Sequence, residues 1–402
     1  MPSFERRVVL LSWLVVLWTG CVSLGATERQ GLAIDQLLTS YERGNYQEVL
    51  DSIGRSGSIE GGGFEKFQEG ANRWLEAIDP AGRWHRQLVA SSAALEMAHL
   101  LRDRSADGAA KYLVWASLTI RKTPPEPPTI AEHEWYLAAL AGMEELDMPW
   151  VLVVGTPGPA TLEAIAAKLR PGGLLAICLE RFPDDPRFLL ARAEASEWLV
   201  RAFAELAFAP SRQQFVKIRA SASAPEHLDP SDRFTVDQPI AQGLLDEGAR
   251  LPDVIREFER LAEDPRVASE ADLHLGYLEA ARQNWSSAVE RLRSGLQQDQ
   301  DVSLRFLTEF FMGRIAAATG NRTGAREAFG QAATLVPKAR SATTLLATEL
   351  LLTASADDRD RAYRLLQAAG TDLTTPDPWA LYFHGDARLW PKYMAQLRQA
   401  LR

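Results

Sequence analysis

Through the second half of the chain, apolar residues return every three or four positions, the interval that lines one face of an α-helix. In "VIREFERLAEDP", Val254, Phe258 and Leu261 fall on one such face, and Pro265 stands just past its end. "AVERLRSGLQQD" sets Ala288, Leu292 and Gly295 in the same relation. "AREAFGQAATLVP" repeats it with Ala325, Phe329, Ala332 and Pro337, and "AYRLLQAAG" with Ala362, Leu366 and Ala369. From Val254 to Ala288, Ala325 and Ala362 the lead position advances by 34, 37 and 37 residues. Each of the last three helices follows another helix, and Gly276, Gly313 and Leu350 lie twelve positions upstream of its lead residue. Periodicity of this length points to stacked supersecondary units.

The first half is less regular. Gly31–Ile53 reads as a helical hairpin broken at "ERGNYQEV", and five glycines in "GRSGSIEGGG" predict a loop after it. Three helices are expected between Phe64 and Lys122, the longest from about Gly82 to Arg102 with Leu88, Leu95, Met97 and Leu101 at helical spacing. "KTPPEPPT" must interrupt them, because proline lacks an N–H and clashes with the preceding turn. Helices resume at Ile130–Leu146. A second break, "RASASAPEHLDPSDRF" at Arg219–Phe234, is the expected main boundary. β-branched alternation is scarce, and Val151–Val154 is the one candidate strand. The chain therefore divides into 1–26, a leader or anchor; 27–218, a helical domain with degenerate units; 219–235, a linker; 236–370, regular repeats; and 371–402, a loop and a capping helix.

At the N-terminus, Arg6 and Arg7 precede an apolar run from Val8 to Trp18, and small residues follow to Ala26. That order is the pattern of a secretory signal and predicts export. Three fates are open. Cleavage after Gly25 or Ala26 would release a soluble protein. Cys21, after Thr19-Gly20, resembles a bacterial lipoprotein site, although Trp18 stands where that family usually has Leu. Retention would make Val8–Thr27 an anchor, since about 20 uncharged residues can cross a bilayer. Cys178 is the only other cysteine, so a disulfide framework and CxxC chemistry are excluded. With 44 basic and 53 acidic residues the net charge is −9, and nothing points to nucleic acid or to an anionic membrane surface for the body of the protein.

The repeated residues resemble the tetratricopeptide repeat (TPR) family, a helix–turn–helix unit of about 34 residues. Its first-helix Leu-Gly pair is matched by Leu275-Gly276 and approached by Met312-Gly313; its second-helix Ala, large apolar residue, Ala and Pro are matched by Ala325, Phe329, Ala332 and Pro337. "GNYQEV" and "RQNWSSAV" resemble the turn inside the unit, with Tyr46 and Trp285 opening the second helix. The fourth unit departs by carrying Leu350 in place of Gly, two spacings carry three extra residues, and the first-helix Trp is missing. The resemblance covers about Val236–Gly370, with degenerate units at Gly31–Ile53 and Pro159–Leu199. It implies an all-α fold, an α-solenoid of antiparallel helix pairs forming a TPR-like superhelix. It also implies protein binding through the first-helix face, which nominates Leu273, Tyr277, Phe310, Arg314, Ala347 and Leu351 as a partner groove; ordinary inter-repeat core is the alternative for the same residues.

Candidate chemistry is thin. "VLVVGTPG" at Val151–Gly158 and "LRPGGLLAI" at Leu169–Ile177 each resemble pieces of nucleotide-cofactor folds, but Pro157 and Pro159 and the missing sheet partners argue for a helix-capping loop instead. None of the six histidines forms an H-x3-H or HExxH pair. "AEHEW" at Ala131–Trp135 reads as a solvated helix start, and "PDDP" and "DDRDR" as acidic helix entries. No catalytic residue, cofactor or metal site is expected. The expectation is a non-catalytic scaffold of the periplasm or cell envelope that binds other proteins or peptides and touches membrane only through its N-terminal segment. The alternative is an exported small-ligand or glycan-binding protein using the Trp-rich first half (Trp74, Trp84, Trp115, Trp135, Trp150, Trp198).

Overall fold

The computed structural model describes residues 34–53, 80–102, 104–120, 127–154, 174–205, 208, 238–298, 301–352, 355–369, 377–383 and 387–402. Among them every regular element is a helix, so the fold is all-α. In chain order these are α1 (Ile34–Glu42), α2 (Tyr46–Ile53), α3 (Pro80–Leu101), α4 (Ala106–Ile120), α5 (Ile130–Val154), α6 (Leu174–Arg181), α7 (Pro186–Trp198), α8 (Arg201–Glu205) and α9 (Gln238–Leu261). They continue as α10 (Ala268–Ala281), α11 (Trp285–Gln298), α12 (Val302–Ala318), α13 (Arg322–Leu335), α14 (Arg340–Leu351), α15 (Ala356–Ala369), α16 (Pro378–Phe383) and α17 (Trp390–Ala400).

Val151–Val154 is the last turn of α5, not a strand. Helical bonding satisfies its N–H groups within the segment, whereas a lone strand would leave them unpaired. The leader with Cys21, the glycine-rich loop, the Gly155–Gly173 stretch and the expected linker at 219–235 lie outside the described residues. No described helix is long and apolar enough to cross a membrane.

One turn recurs inside the helix pairs. Gly44, Gln283 and Gly320 each take a left-handed conformation, with φ of 76°, 64° and 81°. Each is followed by an asparagine whose N–H reaches back five residues, Asn45 to Ser40, Asn284 to Glu279 and Asn321 to Ala316, at 2.8–3.0 Å. This is the paired-bond helix stop in which a left-handed residue satisfies the last carbonyls. It ends α1, α10 and α12, and the next helix begins at the residue after the asparagine. Asp185, Asp301 and Asn321 cap helix starts by accepting from Arg187, Leu304 and Gly324 N–H groups.

The paired helices run antiparallel. Gly276 faces Leu292 while Ser269 and Asp272 face Gly295, so positions advance in opposite senses along α10 and α11. A methyl group on Gly276 would meet Leu292 Cγ at 2.5 Å, and one on Gly313 would meet the Phe329 ring at 2.6 Å. The glycines thus let the crossing close around the large partner residue. α12–α13 and α14–α15 pack in the same consecutive fashion, and α11 meets α12 as α13 meets α14. Lead residues Val254, Ala288, Ala325 and Ala362 are all buried. Leu366 is 37% exposed, since α15 has no following pair to cover it.

Two apolar cores result. One joins α1–α7 with the C-terminal α17, and the other runs from α7 to α16, so that α7 contributes to both. The C-terminal helix does not close the end of the repeats as expected. It lies along α5, where the buried Trp390 ring touches the backbone of Gly142.

Candidate functional site

The residues nominated for a groove divide. Tyr277 on α10 and Phe310 and Arg314 on α12 lie together on one face, Tyr277 and Arg314 sharing Glu205 and Arg314 lying near the Phe310 ring. Leu273 and Ala347 are fully buried in the apolar core; Tyr277 is fully buried and Phe310 nearly so, and other parts of the chain cover them. Leu351 is 38% exposed and does not line the cleft described below.

Two segments do the covering. From the end of α8, the Glu205 carboxylate receives a two-pronged bond from the Arg314 guanidinium at 2.6 and 3.1 Å, and the Tyr277 hydroxyl donates to it at 2.8 Å. Phe208 stacks on Tyr277, faces Trp285 edge-on, and lies 4.0 Å from the Arg314 guanidinium carbon. From α16, Trp379 packs on Phe310 and on Arg314, and Tyr382 packs on Phe311 and Tyr277. Burial, with the Glu205 charge beside it, pushes the Tyr277 hydroxyl well above its ordinary pKa and keeps it a donor.

Beside this covered face an open cleft of about 650 Å3 remains. Glu205, Phe310, Arg314 and Trp379 line it together with Arg340, Ser341 and Leu366. Asp377 ties two of these residues to each other: its carboxylate accepts from Ser341 N at 2.7 Å, Ser341 Oγ at 2.8 Å and Trp379 N at 3.0 Å. Arg340 donates to the Ala369 carbonyl at the end of α15. The cleft offers apolar and aromatic surface with two guanidinium groups and two hydroxyls, a lining suited to a peptide.

Beneath the face lies a buried ionic network that the sequence did not announce, because its members come from four helices, α7, α8, α10 and α16. His274 is fully buried, stacked on Phe258, with Nδ1 bonded to Glu197 and Nε2 3.5 Å from Glu194. Glu197 also accepts from Arg201 Nε and from the Tyr382 hydroxyl, both at 2.9 Å. Burial opposes its charge, but His274 and Arg201 hold its carboxyl below the usual range. Arg201 further donates to the Tyr382 and Phe383 carbonyls, which ties α8 to the C-terminal end of α16. Its members are buried and do not line the cleft above, and they fasten α7, α8, α10 and α16 to one another.

A second cluster corrects the reading of "AEHEW" as a solvated helix start. Glu132 is buried and held by both arms of Arg181, and Glu134 is buried and bonded to Arg187. His133 Nε2 sits 2.8 Å from Asp185, and Phe182 and Phe188 meet its ring edge-on. His133 Nδ1 also lies 3.3 Å from Glu134 and Arg187 reaches both, so α6, α7 and the α7 cap supply partners for all three side chains. "PDDP" and "DDRDR" do enter helices, with Asp185 capping α7 and Asp357 and Asp358 in the first turn of α15. Trp115, Trp135 and Trp198 are buried in the cores. Among the described residues no group of three or more His, Cys, Asp and Glu is placed to hold a metal ion.

Compared with known protein families and with curated proteins, the chain matches none.

Proposed function

We propose that this protein is an exported, non-catalytic scaffold that binds other proteins through the face and cleft built by α10, α12 and α14. The helix pairs are read as TPR-like units stacked into an α-solenoid. The single observation that carries the reading is the convergence of Tyr277, Phe310 and Arg314 on one face, beside an open cleft whose walls are aromatic, apolar and guanidinium-bearing. The shared Gly276–Leu292 and Gly313–Phe329 crossings and the recurring turn support the repeat assignment. Arrays of stacked pairs bind through their continuous first-helix face; here Phe208 and Trp379 cover part of it and the cleft beside it stays open. Export rests on the Arg6-Arg7, Val8–Trp18 and Thr19–Ala26 pattern, and a place in the periplasm or envelope follows from it. The small-ligand alternative is less well supported, since Trp115, Trp135 and Trp198 are spent in packing.

The test is chemical cross-linking and affinity isolation from envelope extracts, comparing the native chain with the double variant Arg340→Glu, Leu366→Glu. Both side chains line the cleft and are exposed, so the fold should tolerate the change. Proteins recovered with the native chain and lost with the variant are the expected result. Identical recoveries, or none in either sample, would refute the reading.

A further inference from the structure

We propose that the Tyr277–Arg314 face recognises a partner segment in which a carboxylate side chain is followed three residues later by an aromatic ring, and that Glu205 and Phe208 occupy the place of that segment within the chain. The inference rests on the protein-binding reading above and names its partner class. The contacts are those of recognition. Arg314 presents its planar fork to both oxygens of Glu205, the geometry that selects a carboxylate over other acceptors. Tyr277 adds a third donor from a different helix. Phe208 completes the motif by lying on Arg314 and against Tyr277 and Trp285, where a flat ring gains both stacking and cation–π attraction.

The Glu205 end of this arrangement is open to exchange. Its side chain keeps 29% of its surface exposed and lines the cleft, unlike the sealed Glu197–His274 network below. Past Arg314 the cleft continues along Arg340, Ser341 and Thr344, which gives the residues of a partner beyond its carboxylate a place to lie. A tethered segment competes at high effective concentration, so a free partner must outbid it or arrive after it has been released. The occupant we assign is therefore an acidic–aromatic peptide stretch on another protein.

The experiment uses the full chain and a fluorescent peptide of its own residues 201–210, RAFAELAFAP. The double variant Glu205→Ala, Phe208→Ala should bind this peptide at least about tenfold more tightly than the native chain, because the internal competitor is gone. Adding Arg314→Ala should remove the gain, and a peptide carrying Gln at its glutamate should lose about tenfold in affinity. The single variant Glu205→Gln keeps the packing of the face and should show a smaller gain of the same sign, so a misfolded double variant does not shelter the idea. Equal binding by the native chain and both variants would overturn it, as would binding indifferent to Arg314→Ala. A concentration-dependent dimer of the native chain, lost in the double variant, would also overturn it, by making a second copy the occupant. If these peptide results fail while the cleft still captures proteins, only this inference falls and the scaffold reading stands.

Discussion

Gln283 holds a conformation that Gly44 and Gly320 adopt at the equivalent point of two other hairpins. A side chain in the left-handed region costs about 1–2 kcal/mol, so Gln283→Gly is expected to stabilise the chain by about 1 kcal/mol, read as a higher denaturant midpoint. Gly313 presents the opposite case. Alanine there gains about 1 kcal/mol of helix propensity but drives a methyl into the Phe329 ring, an overpacking cost of about 1–3 kcal/mol. Gly330, also helical, has open space at the same position, so Gly330→Ala should stabilise where Gly313→Ala destabilises. The same denaturation series reads both, and equal shifts would contradict the packing described. His133 adds a pH dependence. Burial works against its charge, but hydrogen bonds to Asp185 and Glu134 outweigh it and raise its pKa above the ordinary value of about 6.5. A raised folded pKa means that the contribution is complete below the unfolded value and is lost as pH climbs through the folded one. Stability should therefore decline on the alkaline side of about pH 6.5, and His133→Gln should flatten that decline.

At the level of elements, what was legible was local. The lead residues Val254, Ala288, Ala325 and Ala362, the glycines opposite Leu292 and Phe329, and the turns at "GNYQEV" and "RQNW" all act within one helix pair, and periodicity reports them directly. Val151–Val154 misled because four apolar residues cannot choose between strand and helix without their neighbours. Tyr277 shows the harder limit. Its position on the first-helix face follows from spacing, but its burial depends on Glu205, Phe208 and Tyr382, which lie 72, 69 and 105 residues away in the chain. No local pattern carries that. α17 is the same problem at larger separation: its apolar face was readable, its seat on α5 was not. Trp390 fills that seat fully buried, against Gly142 and edge-on to His99. Trp390→Ala should cost about 3–5 kcal/mol. It should also raise hydrogen exchange in α3 and α5 more than in α12 and α13; uniform loosening would contradict the seat.

Across the whole molecule, the C-terminal residues 377–402 act as a strap. Asp377 bonds Ser341 on α14, Tyr382 enters the Glu197–His274 network, Arg388 pairs with Glu270 on α10, and Arg398 grips the buried Glu96 on α3. The strap draws the two cores together and, with Glu205 and Phe208, covers the Tyr277–Phe310–Arg314 face beside the open cleft. The central claim is that the cleft binds protein, and site-directed photo-cross-linking inside the producing cell tests it most directly. A photoreactive residue at Thr344, in the cleft, should capture defined partner proteins, while the same group at the exposed Glu290 on α11 should not. The same sparse, non-specific products at both positions would contradict the account.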